Sequence, residues 1–409
     1  MSETEAQPSI VLVTMDRETS SVVFVRSDGK EARFPLESSP FTDTSILSRL
    51  QYTPKLDWLV AVTQKNDDVV FELPKPGCAE QLGSRLVVYL DQNQWSTVAK
   101  ARHDQARISE EDSEAARQLT ELVYQRQIIL PASAGHYSET TKKFDTTMRY
   151  NIGLTVLQLS HGWQIRDPLQ VRRNEFYNVF RRRFAEGTAV REYPVFTLDP
   201  NVVHGPWRGG QSYQTPQDFS PDAAFQHEAL TSATALIDVM LDTERCEPGP
   251  DAGWAQANQR FSDWLDGEAR NSQQKRKSID VLFLKDLSKE IAEEAHAAGT
   301  TIEQVRSWLQ RATDDIRRLP ATGLFREMLH DRHLNRGTKW SPNDLTDMVY
   351  LSCAAGYADF VVCEQHMRSV LAQGLRRLGR PQHVFRGLQQ ALPAIWATVA
   401  ERTTLADRG

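Results

Sequence analysis

The sequence has no long apolar stretch and few cysteines. Nowhere in its 409 residues do about 18 consecutive apolar residues occur, so no membrane-spanning helix is expected. The four cysteines show no CxxC spacing, which argues against a disulfide framework and against a zinc ribbon. The acidic first residues lack the apolar core of a secretory signal. Together these absences predict a cytoplasmic protein that makes no membrane contact.

Several motifs of familiar enzyme classes are also missing. The chain has no GxxxxGK[ST] loop and no GxGxxG after a strand, so nothing supports NTP hydrolysis or dinucleotide binding. GxSxG and HExxH are absent as well. The net charge of −6 argues against a protein that coats nucleic acid with its whole surface. It is compatible with a nuclease whose acidic pocket lies beside a local basic patch.

Composition and pattern predict a soluble α/β protein with several units, since 40% of the residues are apolar and 25% are charged. Residues 1–80 read as a β-rich unit with a hairpin turn at Asp28-Gly29. Residues 81–165 alternate strands and helices, as the first part of an α/β core would. Residues 166–337 read as a large helical insertion, and residues 338–409 complete the core and add closing helices. The β-rich unit and the insertion are candidates for substrate selection, homo-oligomerisation or restraint.

Carboxylates flank the predicted strands of this core. Ligands bind at strand ends in α/β sheets, and a hard divalent cation prefers carboxylate oxygens. Six acidic residues are therefore candidate metal ligands: Asp91 after the run 86–90, Glu139 after the run 128–130, Asp344 and Asp347 at the start of an apolar helix, and Asp359 and Glu364 on either side of the run 360–363.

The chemistry that such a set indicates is phosphodiester hydrolysis. One or two Mg²⁺ or Mn²⁺ ions would make a water nucleophilic and offset the charge of the transition state. Because Mg²⁺ holds only one or two carboxylates directly, several acidic side chains from separate segments must converge. Asp91, Glu139, Asp347 and Glu364 are the predicted catalytic ligands, and Asn93 is predicted to orient a ligand or water from the second layer. Taken singly, each of these residues also fits a turn, a helix cap or a solvated helix face.

This order of motifs resembles the PIN-like nuclease family. The family's strand followed by Asp-x-Asn is matched by Asp91-Gln92-Asn93, and its glutamate after the second strand is matched by Glu139. Its aspartate on the helix before the fourth strand is matched best by Asp347, with Asp344 as a companion. Its last acidic residue is Glu364 in this chain, with Asp359 before the strand.

The resemblance covers residues 85–165 and 338–380, and it implies a fold and an activity. The implied fold is a three-layer core in which helices flank a parallel sheet on both faces. The implied activity is that of a Mg²⁺- or Mn²⁺-dependent ribonuclease or flap-type nuclease. Many bacterial members of the family are toxins or defence effectors. The alternatives that the sequence leaves open are an inactive scaffold that binds a regulatory protein partner and a nuclease that cleaves DNA.

Basic residues provide candidate contacts for a nucleic-acid backbone. Lys142 and Lys143 follow Glu139 closely, and Arg172 and Arg173 begin a basic run on a predicted helix. Arginine and lysine neutralise phosphates without reading the base sequence. The plainer interpretation of Arg172 and Arg173 is a solvated helix face. RNA is the preferred nucleic-acid partner in this interpretation.

Overall fold

The computed structural model describes residues 8–36, 46–75, 81–143, 145–185, 190–192, 194–199, 221–242 and 253–406. These residues form an α/β protein with fifteen α-helices, a six-stranded antiparallel sheet, a four-stranded parallel sheet and a short two-stranded pair. The α/β class predicted from the sequence is therefore confirmed. No helix within these ranges combines the length and the apolar character that crossing a membrane requires.

The antiparallel sheet occupies the N-terminal region. Its strands are β1 (Ile10–Asp16), β2 (Ser21–Arg26), β3 (Glu31–Pro35), β4 (Leu47–Thr53), β5 (Trp58–Thr63) and β6 (Asp68–Glu72). They lie in the order β3-β2-β1-β4-β5-β6. The predicted turn between β2 and β3 is present, and Gly29 adopts the positive φ of 77° that this turn needs. Strand β4 was not predicted, because its buried residues Leu47 and Leu50 do not alternate with polar residues.

The parallel sheet lies at the centre of the molecule. Its strands are β7 (Leu86–Leu90), β8 (Ile128–Ile129), β11 (Phe360–Val362) and β12 (Val384–Phe385), in the order β12-β11-β7-β8. All five residues of β7 are buried. Leu86, Val88 and Leu90 pack into one hydrophobic core, and Val87 and Tyr89 pack into a second. The sheet therefore separates two cores, which is why β7 reads as a continuous apolar run.

The first face of the parallel sheet is the face of Leu86, Val88 and Leu90. It packs against six helices and against the N-terminal sheet. These helices are α1 (Gln92–His103), α2 (Glu110–Tyr124), α3 (Ala134–Thr141), α4 (Thr146–Ser160), α6 (Pro221–Leu241) and α15 (Leu388–Ala406). The Ser109 side chain caps α2 by accepting from the Asp112 N–H. The helical stretch between residues 134 and 160 is not continuous. Asp145 caps α4 by accepting from the Met148 N–H, so the chain breaks between α3 and α4.

The helical segment after α4 covers the second face of the sheet, the face of Val87 and Tyr89. It contains the pair β9 (Gln164–Ile165) and β10 (Phe196–Thr197), and the following helices: α5 (Pro168–Phe184), α7 (Trp254–Gly267), α8 (Ser272–Asp286), α9 (Ser288–Ala297), α10 (Ile302–Leu309), α11 (Ala312–Ile316) and α12 (Pro320–Leu334). Helices α13 (Asp344–Tyr357) and α14 (Gln365–Arg377) flank β11 and pack into the same core. The helices predicted as an insertion, apart from α6, thus share a core with Val87 and Tyr89 of the sheet.

Candidate functional site

The carboxyl edge of the parallel sheet places Asp91 beside Glu364. Leu90 of β7 pairs with Val362 of β11, and the Asp91 N–H donates to the Val362 carbonyl at 2.9 Å. Parallel strands end at the same edge, so both acidic residues leave the sheet there. The Asp91 carboxylate also caps α1 by accepting from the Gln92 N–H at 2.9 Å. Burial raises the Asp91 pKa, and the charge of Glu364 raises it further.

Glu139 and Asp347 reach the same edge from helices. Glu139 lies on α3, which follows β8, and Asp347 lies in the first turn of α13, which precedes β11. A helix that leads into a parallel strand begins at the strand's carboxyl edge. Burial raises the Glu139 pKa most, and the negative charges of Asp91 and, to a smaller extent, Glu364 raise it further. The Asp347 pKa is raised to about 7, by burial first and then by Glu139 and Asp91.

The four predicted catalytic carboxylates therefore form one cluster, which we call the carboxylate cluster: Asp91, Glu139, Asp347 and Glu364. In the described part of the chain, no arginine, lysine or histidine forms an ion pair with any of the four. Lys142 and Lys143 are near enough to lower the Glu139 pKa. The cluster is an acidic site in which repulsion and burial both disfavour full ionisation, and a bound cation would relieve both effects.

The residues fit a hydrated hard cation better than a tightly caged one. Over the described residues, no group of three or more His, Cys, Asp or Glu side chains is arranged to hold an ion directly. Mg²⁺ keeps several waters and is held by one or two carboxylates, so it does not require such a cage. Charge and oxygen chemistry therefore support Mg²⁺ or Mn²⁺. Among the described residues, the geometry does not support direct binding by three or more of these side chains.

Two other acidic residues proposed as ligands have different roles. Asp359 lies at the start of β11, on the opposite edge of the sheet, where it accepts from the Val87 N–H at 2.8 Å and from Arg402. Asp344 accepts from the Ser341 N–H at 2.7 Å and forms an ion pair with Arg332. Asp344 still raises the Asp347 pKa, but its own carboxylate is engaged. The assignments of Asp359 and Asp344 as metal ligands are thus corrected.

The proposed nucleic-acid contacts Arg172 and Arg173 are also corrected. Arg172 forms a bidentate ion pair with Glu290 at 2.6 and 2.8 Å, and Arg173 pairs with Glu293 at 2.8 Å and with Glu294 at 3.0 Å. These bonds join α5 to α9, and the guanidinium groups are engaged in packing rather than open to phosphates. Lys142 and Lys143 lie beside Glu139, as described above. Asn93 is exposed in the first turn of α1, close in sequence to Asp91, and its predicted orienting role stays a prediction.

Sequence reasoning did not identify the residues that support the cluster. Ser133 caps α3 by accepting from the His136 N–H at 3.1 Å, and it also lies 3.3 Å from the Tyr89 hydroxyl. The Tyr89 ring stacks on His136 with centroids 5.2 Å apart. These contacts hold α3, and with it Glu139, against β7. The serine four residues after Ile129 was a visible helix-cap signal, whereas the stacking needed the tertiary structure.

Other proteins offer no further guide to this site. The chain was compared with protein-family models, with curated proteins and with solved structures, and none of the three comparisons found a match.

Proposed function

We propose that this protein is a divalent-metal-dependent phosphodiesterase of the PIN-like type, an endonuclease that acts on RNA. The observation that carries the proposal is the carboxylate cluster at the carboxyl edge of a parallel sheet. Four acidic side chains from four separate segments meet there, where burial and mutual repulsion raise the pKa of Asp91, Glu139 and Asp347. Within the described residues, none of the four forms an ion pair with an arginine. Structural carboxylates usually have such partners, as Asp359 and Asp344 do in this chain. Perturbed carboxylates without them are typical of functional sites.

The four carboxylates would have different roles in holding the metal ion. Asp91 and Glu364 lie on adjacent strand ends and would hold Mg²⁺ or Mn²⁺, with Glu139 and Asp347 binding the ion's waters. A bound ion supplies Lewis-acid activation of water and offsets charge on the phosphate. Because its pKa is about 7, Asp347 holds a proton part of the time at neutral pH and would release it when a cation arrives.

Lys142 and Lys143 are the basic residues that support a polynucleotide substrate. Both lie at the end of α3 and influence Glu139. A phosphate next to the scissile one would be attracted to these side chains, while the acidic cluster alone would repel it. Such backbone contacts would tolerate many base sequences. They leave the choice between RNA and DNA to the substrate test below.

The direct test is cleavage of a single-stranded RNA with Mn²⁺ or Mg²⁺ and with EDTA. We expect cleavage that requires the metal, and we expect Asp91→Asn to abolish it. The matched control is Glu110→Gln, which removes an exposed carboxylate on α2 and should cleave like the wild type. If wild-type protein cleaves neither RNA nor DNA with either metal, the proposal is wrong. If only DNA is cleaved, the RNA assignment is replaced.

A second candidate function is a scaffold that kept this fold and binds a protein partner. The observation that favours it is the lack, among the described residues, of a preformed set of three metal ligands. Titration calorimetry with Mn²⁺ separates the two candidates. The nuclease requires binding that Asp91→Asn weakens, whereas the scaffold requires none.

A further inference from the structure

Strand β3 is an open edge of the N-terminal sheet. All five of its residues are exposed, and within the described ranges it pairs with β2 alone. Phe34 is 53% exposed, and its ring meets Phe24 edge-on with centroids 5.9 Å apart. An unpaired strand edge presents hydrogen-bonding groups to any other strand that fits it.

The hydrogen bonds to β2 show which backbone groups of β3 are turned outward. The Arg26 N–H donates to the Lys30 carbonyl at 2.9 Å, and the Leu36 N–H donates to the Ser20 carbonyl at 2.9 Å. Residues alternate in an antiparallel ladder, so even-numbered residues from 30 to 36 face β2. Glu31, Arg33 and Pro35 therefore face away from it. Because proline has no N–H, Glu31 and Arg33 are the outward donors of this strand.

These outward groups match a second copy of the same strand. In an antiparallel pair centred on Ala32, Glu31 of each copy would lie opposite Arg33 of the other. Each of these two residue pairs would exchange two backbone hydrogen bonds, so every outward N–H of both strands would be used. Centring the pair on Glu31 or on Arg33 instead would place like charges opposite each other, which is destabilising. Charged edge residues normally oppose chance pairing, and here the same charges select one register.

The apolar side of the sheet fits the same arrangement. Phe24 pairs with Ala32 and Val22 pairs with Phe34, so these four residues share one face. In the register centred on Ala32, Phe34 lies opposite Lys30 of the second copy. The lysine stem and ammonium can cover the exposed ring. We propose that two copies of this chain associate through their β3 strands, in antiparallel register about Ala32, and form one continuous sheet.

A charge exchange tests this proposal without touching the carboxylate cluster. Light scattering after size exclusion should give twice the 46.5 kDa chain mass for the wild type. Glu31→Arg alone and Arg33→Glu alone should each give a monomer, because each places like charges opposite. The double variant Glu31→Arg/Arg33→Glu should restore the dimer. A wild type that stays monomeric at all concentrations, or a dimer that survives both single changes, overturns the proposal.

A cysteine at the symmetry axis tests the register itself. Ala32 would face Ala32 of the second copy in a pair without backbone hydrogen bonds, where the Cα atoms lie about 4.5 Å apart. That separation is within the range of disulfides, about 4.4–6.8 Å. Ala32→Cys should therefore give a covalent dimer on mild oxidation. Phe34→Cys is the control and should not, since it lies opposite Lys30. An uncrosslinked Ala32→Cys protein, or equal crosslinking of both variants, contradicts the register. Circular dichroism of each variant checks that it is folded.

Discussion

The Gln92 side-chain amide donates to the Thr140 hydroxyl at 3.0 Å. Each of these buried residues directly follows a member of the carboxylate cluster, since Gln92 follows Asp91 and Thr140 follows Glu139. The bond therefore joins the start of α1 to α3 just behind the cluster. It fixes the separation of two carboxylates that come from different segments. Bonds of this kind determine how precisely a site is held.

Replacing Thr140 with valine should loosen this connection. The change keeps the shape of the side chain and removes the acceptor, so the Gln92 amide is left unpaired in a buried position. We expect a loss of about 1–2 kcal/mol in the free energy of unfolding, measured by urea denaturation. If Glu139 acts in the reaction, metal-dependent cleavage should fall about tenfold or more. Thr120→Val, which removes a hydroxyl bonded only to the Ala116 carbonyl of its own helix, is the control and should leave cleavage unchanged.

Asp347 should make the metal-free protein less stable as pH rises. Its native pKa is about 7, against a reference of 3.8, so the native state binds more protons than the unfolded state between these values. Stability then falls as pH increases from about 4 to about 7, by an amount on the order of 2 kcal/mol after allowance for partial solvent screening. Asp347→Asn should remove this loss. The melting temperatures of the wild type and of Asp347→Asn, both measured in EDTA, should converge near pH 4. Near pH 8 the variant should melt at a higher temperature than the wild type. Parallel curves at every pH would contradict the assignment.

Asp359 should act on folding rather than on catalysis. Its carboxylate accepts from the Val87 N–H and pairs with Arg402, at the edge of the sheet opposite the cluster. Asp359→Ala should lower the free energy of unfolding by about 1–3 kcal/mol, because a partly buried N–H and a guanidinium lose their partner. Cleavage per folded molecule and Mn²⁺ affinity should be unchanged. A loss of Mn²⁺ binding in folded Asp359→Ala protein would restore this residue to the metal site.

The lysine pair and the arginine pair should behave differently toward RNA. Lys142→Ala and Lys143→Ala should each weaken binding of single-stranded RNA and reduce the slope of log affinity against log salt by about 0.7. Arg172→Ala should leave that slope unchanged and lower the free energy of unfolding, because Glu290 loses its bidentate partner. Fluorescence anisotropy over a salt series gives the slopes, with Asp91→Asn as the background so that RNA is not consumed.

Local signals in the sequence were sufficient for most single elements. The apolar run 86–90 predicted β7, and the Asp-Gly dipeptide predicted the turn before β3. Each rests on chemistry within a few residues. Strand β4 was missed because its buried residues Leu47 and Leu50 do not alternate with polar residues, and its pairing with β1 and β5 is visible only in the folded sheet.

The role of each acidic or basic residue depended on partners that sequence order does not show. Asp344 and Asp347 are three residues apart on one helix, yet Arg332 engages only the first. Asp359 and Glu364 bracket one strand, and the direction of that strand alone decides which of them lies beside Asp91. The partner of Arg172 is 118 residues away. Acidic or basic side chains that are close in sequence therefore have different partners in the folded chain.

By itself, the sequence determined which residue types end the strands and where acidic side chains enter the core, because strand ends and helix caps are specified by short-range patterns. Only the tertiary structure decided which carboxylates meet and which are neutralised by arginines. Ion pairs and sheet order are set by how distant segments pack, and the free energy of a charge depends on all the groups around it rather than on its neighbours along the chain.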